Sequence, residues 1–171
     1  SSQPHGFLHT APSTDVDAAS PARSVSALQY FDLSGSPAVL GVDDLIDISN
    51  SVDDAYLDEP DTVAWTMCRT TLAQVRKLKS TTGAPLLIEG AGPRPLLLGW
   101  PVELTSAMPE AGAANFPIAF GNWRAGYGIV DRGAMRVDPD TFTAPGSVRF
   151  YIRRRVGGIV IDNRAIKLLK F

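Results

Sequence analysis

Between Gly41 and Pro60, the stretch "GVDDLIDISNSVDDAYLDEP" places Val42, Leu45, Ile46, Ser49, Val52 and Tyr56 along one helical stripe. The spacing predicts a helix over about 42–57. Asp43 and Asp44 fall in its first turn, where the helix dipole favours anions, and Pro60 marks the stop. The acids opposite the stripe read as a solvated face and not as a metal site. A second helical pattern, "RTTLAQVRKLKSTTG", predicts a helix over about 69–80 with Leu72, Val75 and Leu78 inward. Arg76, Lys77 and Lys79 crowd its C-terminal end, where cations are favoured, and Gly83 supplies a left-handed stop.

Strand patterns fill the rest of the chain. "TVAWTM" is β-branched and aromatic between turn formers. "SALQYFDLSG", "FPIAFGNW" and "GYGIVDR" predict short strands, and "APLLIEGAGPRPLLLGWPVELTSAMPE" predicts two, separated by a Gly/Pro turn. "AMRVDPDTFTAPGSVRFYIRRRVGG" predicts a β-hairpin with a long tip between Val137 and Ser147. "IVIDNRAIKLLKF" predicts a last strand after a bend at Gly157-Gly158. The first 25 residues, rich in Ser, Ala, Pro and Thr, read as a loop with one ordered contact at "GFL". Two helices among many short strands, with no βαβ alternation and no repeat, indicate an α+β chain built on a central sheet.

A chain of 171 residues is long enough to bury a core as one domain. Its single cysteine, Cys68, excludes a disulfide or a Cys-based zinc cluster within these residues. No apolar run approaches the roughly 18 residues of a membrane-spanning helix. Charge changes the picture more than composition does. The formal net charge is only −2. Yet residues 1–62 carry one base, Arg23, against eleven acids, and residues 63–171 carry fifteen bases against seven. Such asymmetry fits nucleic-acid binding by the basic half, or complementary surfaces that pair within the fold or between subunits. Bases spread along the chain favour pairing. The run Arg153-Arg154-Arg155 falls in a strand pattern, so Arg153 and Arg155 point one way and Arg154 the other. All three therefore call for an anionic ligand, or for acids of the same chain or a neighbour.

Catalytic options are thin. His5 and His9 both lie in the polar lead-in, away from any rigid scaffold. Cys68 stands at a helix start, where a thiol pKa is lowered, but a small residue is ordinary there. "GAGPRP" has two prolines and no Lys-Ser/Thr, so it reads as a turn and not as a phosphate loop. Asp138 and Asp140 lie in the hairpin with nothing to make them an acid–base pair.

Three segments, "LLLGWPVELTSAMPE", "FPIAFGNWRAGYGIVDRGAMRV" and "VRFYIRRRVGGIVIDNRAIKLLK", occur in an order and spacing that resemble the major capsid proteins of tailed bacteriophages, which share the Hong Kong 97 fold. "PHGFLHT" resembles that family's Gly-hydrophobic-Leu lead-in, and "AWTMCRTTLAQVRKLKSTTGAPLL" its strand and Lys-rich helix. One departure is Cys68, where relatives often have an Asn able to cap the second helix. The resemblance implies an axial domain at 1–131 with a return strand at 159–171, and a peripheral-domain hairpin at 132–158. It further implies a C-terminal fragment in which the N-terminal arm, extended loop and spine helix are absent.

By the same resemblance, the function is that of a structural subunit of an icosahedral phage or prophage shell that self-assembles around DNA, with no catalysis and no cofactor. The partners are further copies of the chain in pentamers and hexamers. Packaged DNA is met only indirectly, no membrane is involved, and scaffold, portal or protease act during assembly. The location is the virion capsid, after synthesis in the bacterial host cytoplasm. Phe150, Ile152, Arg153, Arg154, Arg155 and Arg132 are the subunit-contact candidates. The row Val148, Phe150 and Ile152 would be exposed without a covering helix. An encapsulin-type compartment shell is the alternative, and a small Cys/His hydrolase a distant one. Some members of the family join subunits by a Lys–Asn isopeptide bond with its Asn on the peripheral hairpin. No Asn lies between Asn122 and Asn163 here. A denaturing gel of mature particles should therefore show no covalent ladder traceable to residues 132–158.

Overall fold

The computed structural model describes residues 6–19, 23–34, 39–78, 87–88, 94–140, 142–143 and 146–171. His5, Gly35, Lys79, Gly83 and the turn at 90–93 lie outside them. Seven strands form one mixed sheet: β1 (Gln29–Asp32), β2 (Val63–Met67), β3 (Leu87–Ile88), β4 (Leu96–Leu97), β5 (Trp100–Leu104), β6 (Ile118–Asn122) and β11 (Ile166–Lys170). Their order is β1-β11-β6-β2-β5-β4-β3. β1 runs parallel to β11 and β2 parallel to β5, while β6 is antiparallel to both β11 and β2.

Every residue of β2 and of β6 is buried, as expected of central strands covered on both faces. On one face, Val63, Trp65, Met67, Ile118, Phe120 and Leu169 meet two helices, α1 (Val42–Asn50) and α2 (Arg69–Val75). Trp65 lies 4.3 Å, centroid to centroid, from Phe120 and donates its indole N–H to the Leu97 carbonyl at 3.0 Å. The other face collects Leu28, Cys68, Met108, Ala119, Val160, Ile166 and Leu168, with Phe7 and Leu8 of the lead-in packed against them.

Both helices are shorter than their patterns predict. α1 ends at Asn50 because Ser51 turns its N–H and hydroxyl back onto the last turn, and Asp53 then caps a separate 3-10 turn over Asp54–Tyr56. With the helix shortened, the buried line is Leu45, Ile48 and Val52, and Ile46 is 38% exposed. Asp44 also departs from expectation, since it is buried and not solvated. Its carboxylate accepts from the Gly41 and Ser34 N–H groups, each at 2.8 Å, closing the helix start. α2 keeps Leu72 and Val75 fully inside, but after Val75 tighter i→i+3 bonds take over at Lys77 and Leu78. Cys68 occupies its N-cap position and makes no side-chain cap bond.

The lead-in is fastened at the sheet edge. Ser13 bridges Gln29 of β1, its N–H donating to Leu28 and its carbonyl accepting from Tyr30. Lys167, in the middle of β11, is fully buried and donates to Asp17 at 2.6 Å and to Gln29 at 2.7 Å. Arg23 reaches the same Asp17 carboxylate at 2.5 Å. Burial by itself raises the Asp17 carboxyl, but the hydrogen bonds from Lys167 and Arg23 outweigh it and hold the group below its ordinary value of 3.8. A carboxylate depressed by folding contributes stability that is complete above its unfolded pKa and is lost as pH falls through its folded one. Stability should therefore drop below about pH 3.8. Asp17→Asn should flatten that limb of the profile and cost roughly 1.5–3 kcal/mol at neutral pH, where the charge-assisted bonds are lost. Denaturant melts at about pH 3 and pH 7 check both statements.

Candidate interaction surface

After β6 the chain leaves the sheet through the short helix α3 (Trp123–Gly126) and runs outward along β7 (Tyr127–Asp131). It continues through β8 (Arg136–Asp140) and a tip to β9 (Arg149–Arg153), then comes back along β10 (Val156–Val160) to β11. β7 pairs with β10 and β8 with β9, both antiparallel, so the arm is two ribbons of two strands in series. The last strand therefore does not follow a bend at Gly157-Gly158. Both glycines lie inside β10 opposite Val130 and Ile129, and the reversal comes at 161–165, where Asp162 accepts from the Arg164 N–H.

The "GNW" triplet fixes the root of the arm. A Cβ on Gly121 would lie 2.0 Å from the Ala165 carbonyl oxygen, and its φ of +151° suits glycine. Asn122 caps α3 by accepting from the Ala125 N–H at 3.0 Å, and its amide donates to the Tyr56 carbonyl at 2.9 Å. The Trp123 indole donates to the Ala64 carbonyl at 3.1 Å, and its ring stands edge-on to Phe7 at 5.0 Å. Tyr56 closes the ring of contacts, donating its hydroxyl to Asp162 at 2.6 Å. That bond to a carboxylate, with some burial, pushes the phenol up to about 12.

The outer ribbon has two chemically distinct faces. Directly opposed residues of an antiparallel pair share a face. Val137 stands opposite Ile152 and Pro139 opposite Phe150, which makes one face apolar, with Val148 continuing the row. Phe150 is 64% and Ile152 65% exposed. Arg136 opposite Arg153, Asp138 opposite Tyr151 and Asp140 opposite Arg149 make the other face charged. Two of these carboxylates are already engaged. Asp138 holds Arg136 at 2.8 Å, and Asp140 accepts from the Thr143 hydroxyl and from the Phe142 and Thr143 N–H groups of the tip, bonds that in that order lower its pKa.

The triple arginine does not sit inside a strand. Arg153 ends β9, while Arg154 and Arg155 occupy the step between β9 and β10. The pairing of β8 with β9 ends at Arg136–Arg153, and at the step the chain joins a different ladder. There the Arg132 N–H donates to the Arg155 carbonyl at 2.8 Å. Arg154 turns to Asp131, its Nε at 2.8 Å from one carboxylate oxygen, and that bond raises the arginine pKa further. Arg132, Arg149, Arg153 and Arg155 meet no carboxylate among the described residues. The alternation of β9 was legible from its own sequence. The matching half supplied by Val137, Pro139 and Arg136 was missed, although "RVDPD" carries the same period of two. Cys68 is 6% exposed, with its sulfur 2.9 Å from Thr70 Oγ1 and 3.1 Å from Thr71 Oγ1. Burial raises the thiol, and those hydroxyl contacts outweigh it to lower the pKa. His9 stays exposed on the lead-in.

Over 99% of this chain and 56% of its own length, the capsid of an empty GTA particle, computed with C5 symmetry, matches at 34% identity and a TM-score of 0.76. The capsid of the native GTA particle, also with C5 symmetry, matches at 32% identity and a TM-score of 0.77, again over 99% of this chain and over 61% of its own. The chain thus spans a little over half the length of these relatives. No curated protein matches it. Seven-stranded sheet, root and two-ribbon arm together form a mixed helix-and-sheet architecture consistent with the expected α+β Hong Kong 97 fold. The model of the phage capsid family matches residues 1–171 in full, and the chain belongs to that family.

Proposed function

We propose that the chain is a structural part of a major capsid protein whose copies assemble into a closed, icosahedral, phage-like shell around DNA. The observation that carries this reading, in a member of the phage capsid family, is the amphipathic outer ribbon. Two strands alone are marginal in water and gain stability only against a further layer. Covering Phe150 and Ile152 would contribute roughly 1.5–3 kcal/mol each. An apolar row of this kind marks a protein contact. In this reading Phe150, Ile152, Arg132 and Arg153–Arg155 belong to contacts of the shell. Residues 1–131 and 159–171 form the axial domain, and 132–158 the peripheral element. The protein acts by architecture, with no reaction assigned to it. Its place is the virion capsid, following synthesis in the host cytoplasm. Its partners are other copies, with scaffold, portal or protease entering during assembly and DNA met indirectly.

Expressing the gene product and imaging the particles tests this reading, with closed shells as the expected result. A gene product that stays dispersed at assembly concentrations would sink it. Phe150→Ser with Ile152→Ser should leave the protein folded and more soluble, because both side chains are exposed already, yet reduce shell yield at least about tenfold, the equivalent of losing 1.4 kcal/mol at the contact. Size-exclusion chromatography and imaging read the two effects separately. Unimpaired shells from this variant would remove the apolar row from the assembly contacts.

A further inference from the structure

We propose that the charged face of the outer ribbon seats against the acidic stretch 43–61 of a second copy of this chain. This inference rests on the shell reading above and names the occupant of one face of the arm. Among the described residues, Arg132, Arg149, Arg153 and Arg155 are exposed and meet no carboxylate. Asp43, Asp47, Asp54, Asp58 and Asp61 are exposed and meet no base there, and Asp53 only caps its own turn. Both surfaces hold like charges close together. Arg136 and Arg153 stand directly opposite on the ribbon, and Asp138 engages Arg136 alone, which leaves the Arg153 charge unbalanced. Asp43 and Asp47 stand one turn apart on α1, which is repulsive, and Asp53 and Asp54 are consecutive. Each surface is therefore unfavourable alone and relieved by the other, and it also discriminates against like-charged partners.

The chain's own acids do not serve. The acidic stretch is tied to the root of the arm, through Tyr56 to Asp162 and Glu59 to Arg124. The ribbon arginines begin beyond the five paired positions of β7 and β10, about 16 Å of strand further out. The acids that reach them come from another copy. Since the two surfaces lie on different parts of one chain, the contact is head-to-tail, the type that closes into rings when the rotation fits. A nucleic-acid backbone suits the ribbon less well, because Asp131, Asp138 and Asp140 are interleaved with its arginines.

Charge exchange in the expressed gene product tests the contact. Arg153→Glu with Arg155→Glu, and separately Asp54→Lys with Asp58→Lys, should each lower the yield of closed shells about tenfold or more at fixed protein concentration and moderate salt. All four changes together should recover most of the loss, since repulsion in each pair is again replaced by attraction. All four residues are exposed, and matching circular dichroism and melting temperatures verify that the variants fold. Should the glutamate pair fail to fold, Arg153→Gln with Arg155→Gln should give an intermediate loss. Full assembly of the reversed or neutralised arginine variants, or a fourfold variant no better than the weaker pair, would overturn the contact. So would arginine variants that assemble normally but package less DNA, which would make the ribbon a polyanion surface. If the unmodified protein forms no shells, the shell reading fails and this contact with it. Shells from the unmodified protein with indifferent variants would remove this contact alone.

Discussion

The structure depends on one constraint: a central pair of strands, β2 and β6, buried along its whole length, which demands cover on both faces of the sheet. The two helices supply it on the side of Trp65 and Phe120. On the other side cover comes from pieces brought in from elsewhere, namely Phe7 and Leu8 of the lead-in and, at the arm root, Tyr127 and Trp123, the first residue of the short helix α3. Core packing therefore sets where the arm departs. Trp123 is locked between the Ala64 carbonyl and the Phe7 ring, and the direction of β7 follows from it.

The same constraint explains the buried ionic cluster. Lys167 sits in a strand whose neighbours Ile166, Leu168 and Leu169 are core residues, and its ammonium would be very costly there without partners. Asp17 and Gln29 supply them. A polar lead-in thereby becomes part of the folded unit, joined to β11 by charge and to the opposite face by Phe7 and Leu8. Asp17 is one of the eleven acids of the first 62 residues, so part of the charge imbalance is resolved inside the chain.

The strands β2 and β6, the existence of a hairpin at β8 and β9, and the inward faces at Leu45, Leu72 and Val75 were legible from the sequence, whereas the hairpin tip was placed from Val137 although β8 runs to Asp140, and β11 was read together with the end of β10 as one strand. What escaped was decided by single side chains acting across the fold. Ser51 and Asp53 stop α1 within an unbroken apolar pattern, which no count of hydrophobic spacing reveals. Asp44 looks like any other acid until Ser34 and Gly41 are brought to it. Gly157 and Gly158 read as a bend, but both lie within β10, paired with Val130 and Ile129 of β7. The alternation of Phe150 and Ile152 in β9 was visible, as was the opposite face carrying Arg149 and Arg153. The arginine triplet was misplaced because the shift from one ladder to the next leaves no mark in residue type.

The junction between the two ribbons has a mechanical meaning. The backbone bond from Arg132 to the Arg155 carbonyl and the exposed Arg154–Asp131 pair span it, with Gly157 and Gly158 just beyond. Fewer bonds cross this joint than hold either ribbon together, so a load on the outer ribbon is expected to bend the arm there before it strains Gly121 or Trp123. One folded unit would then present its tip at several angles without repacking its core.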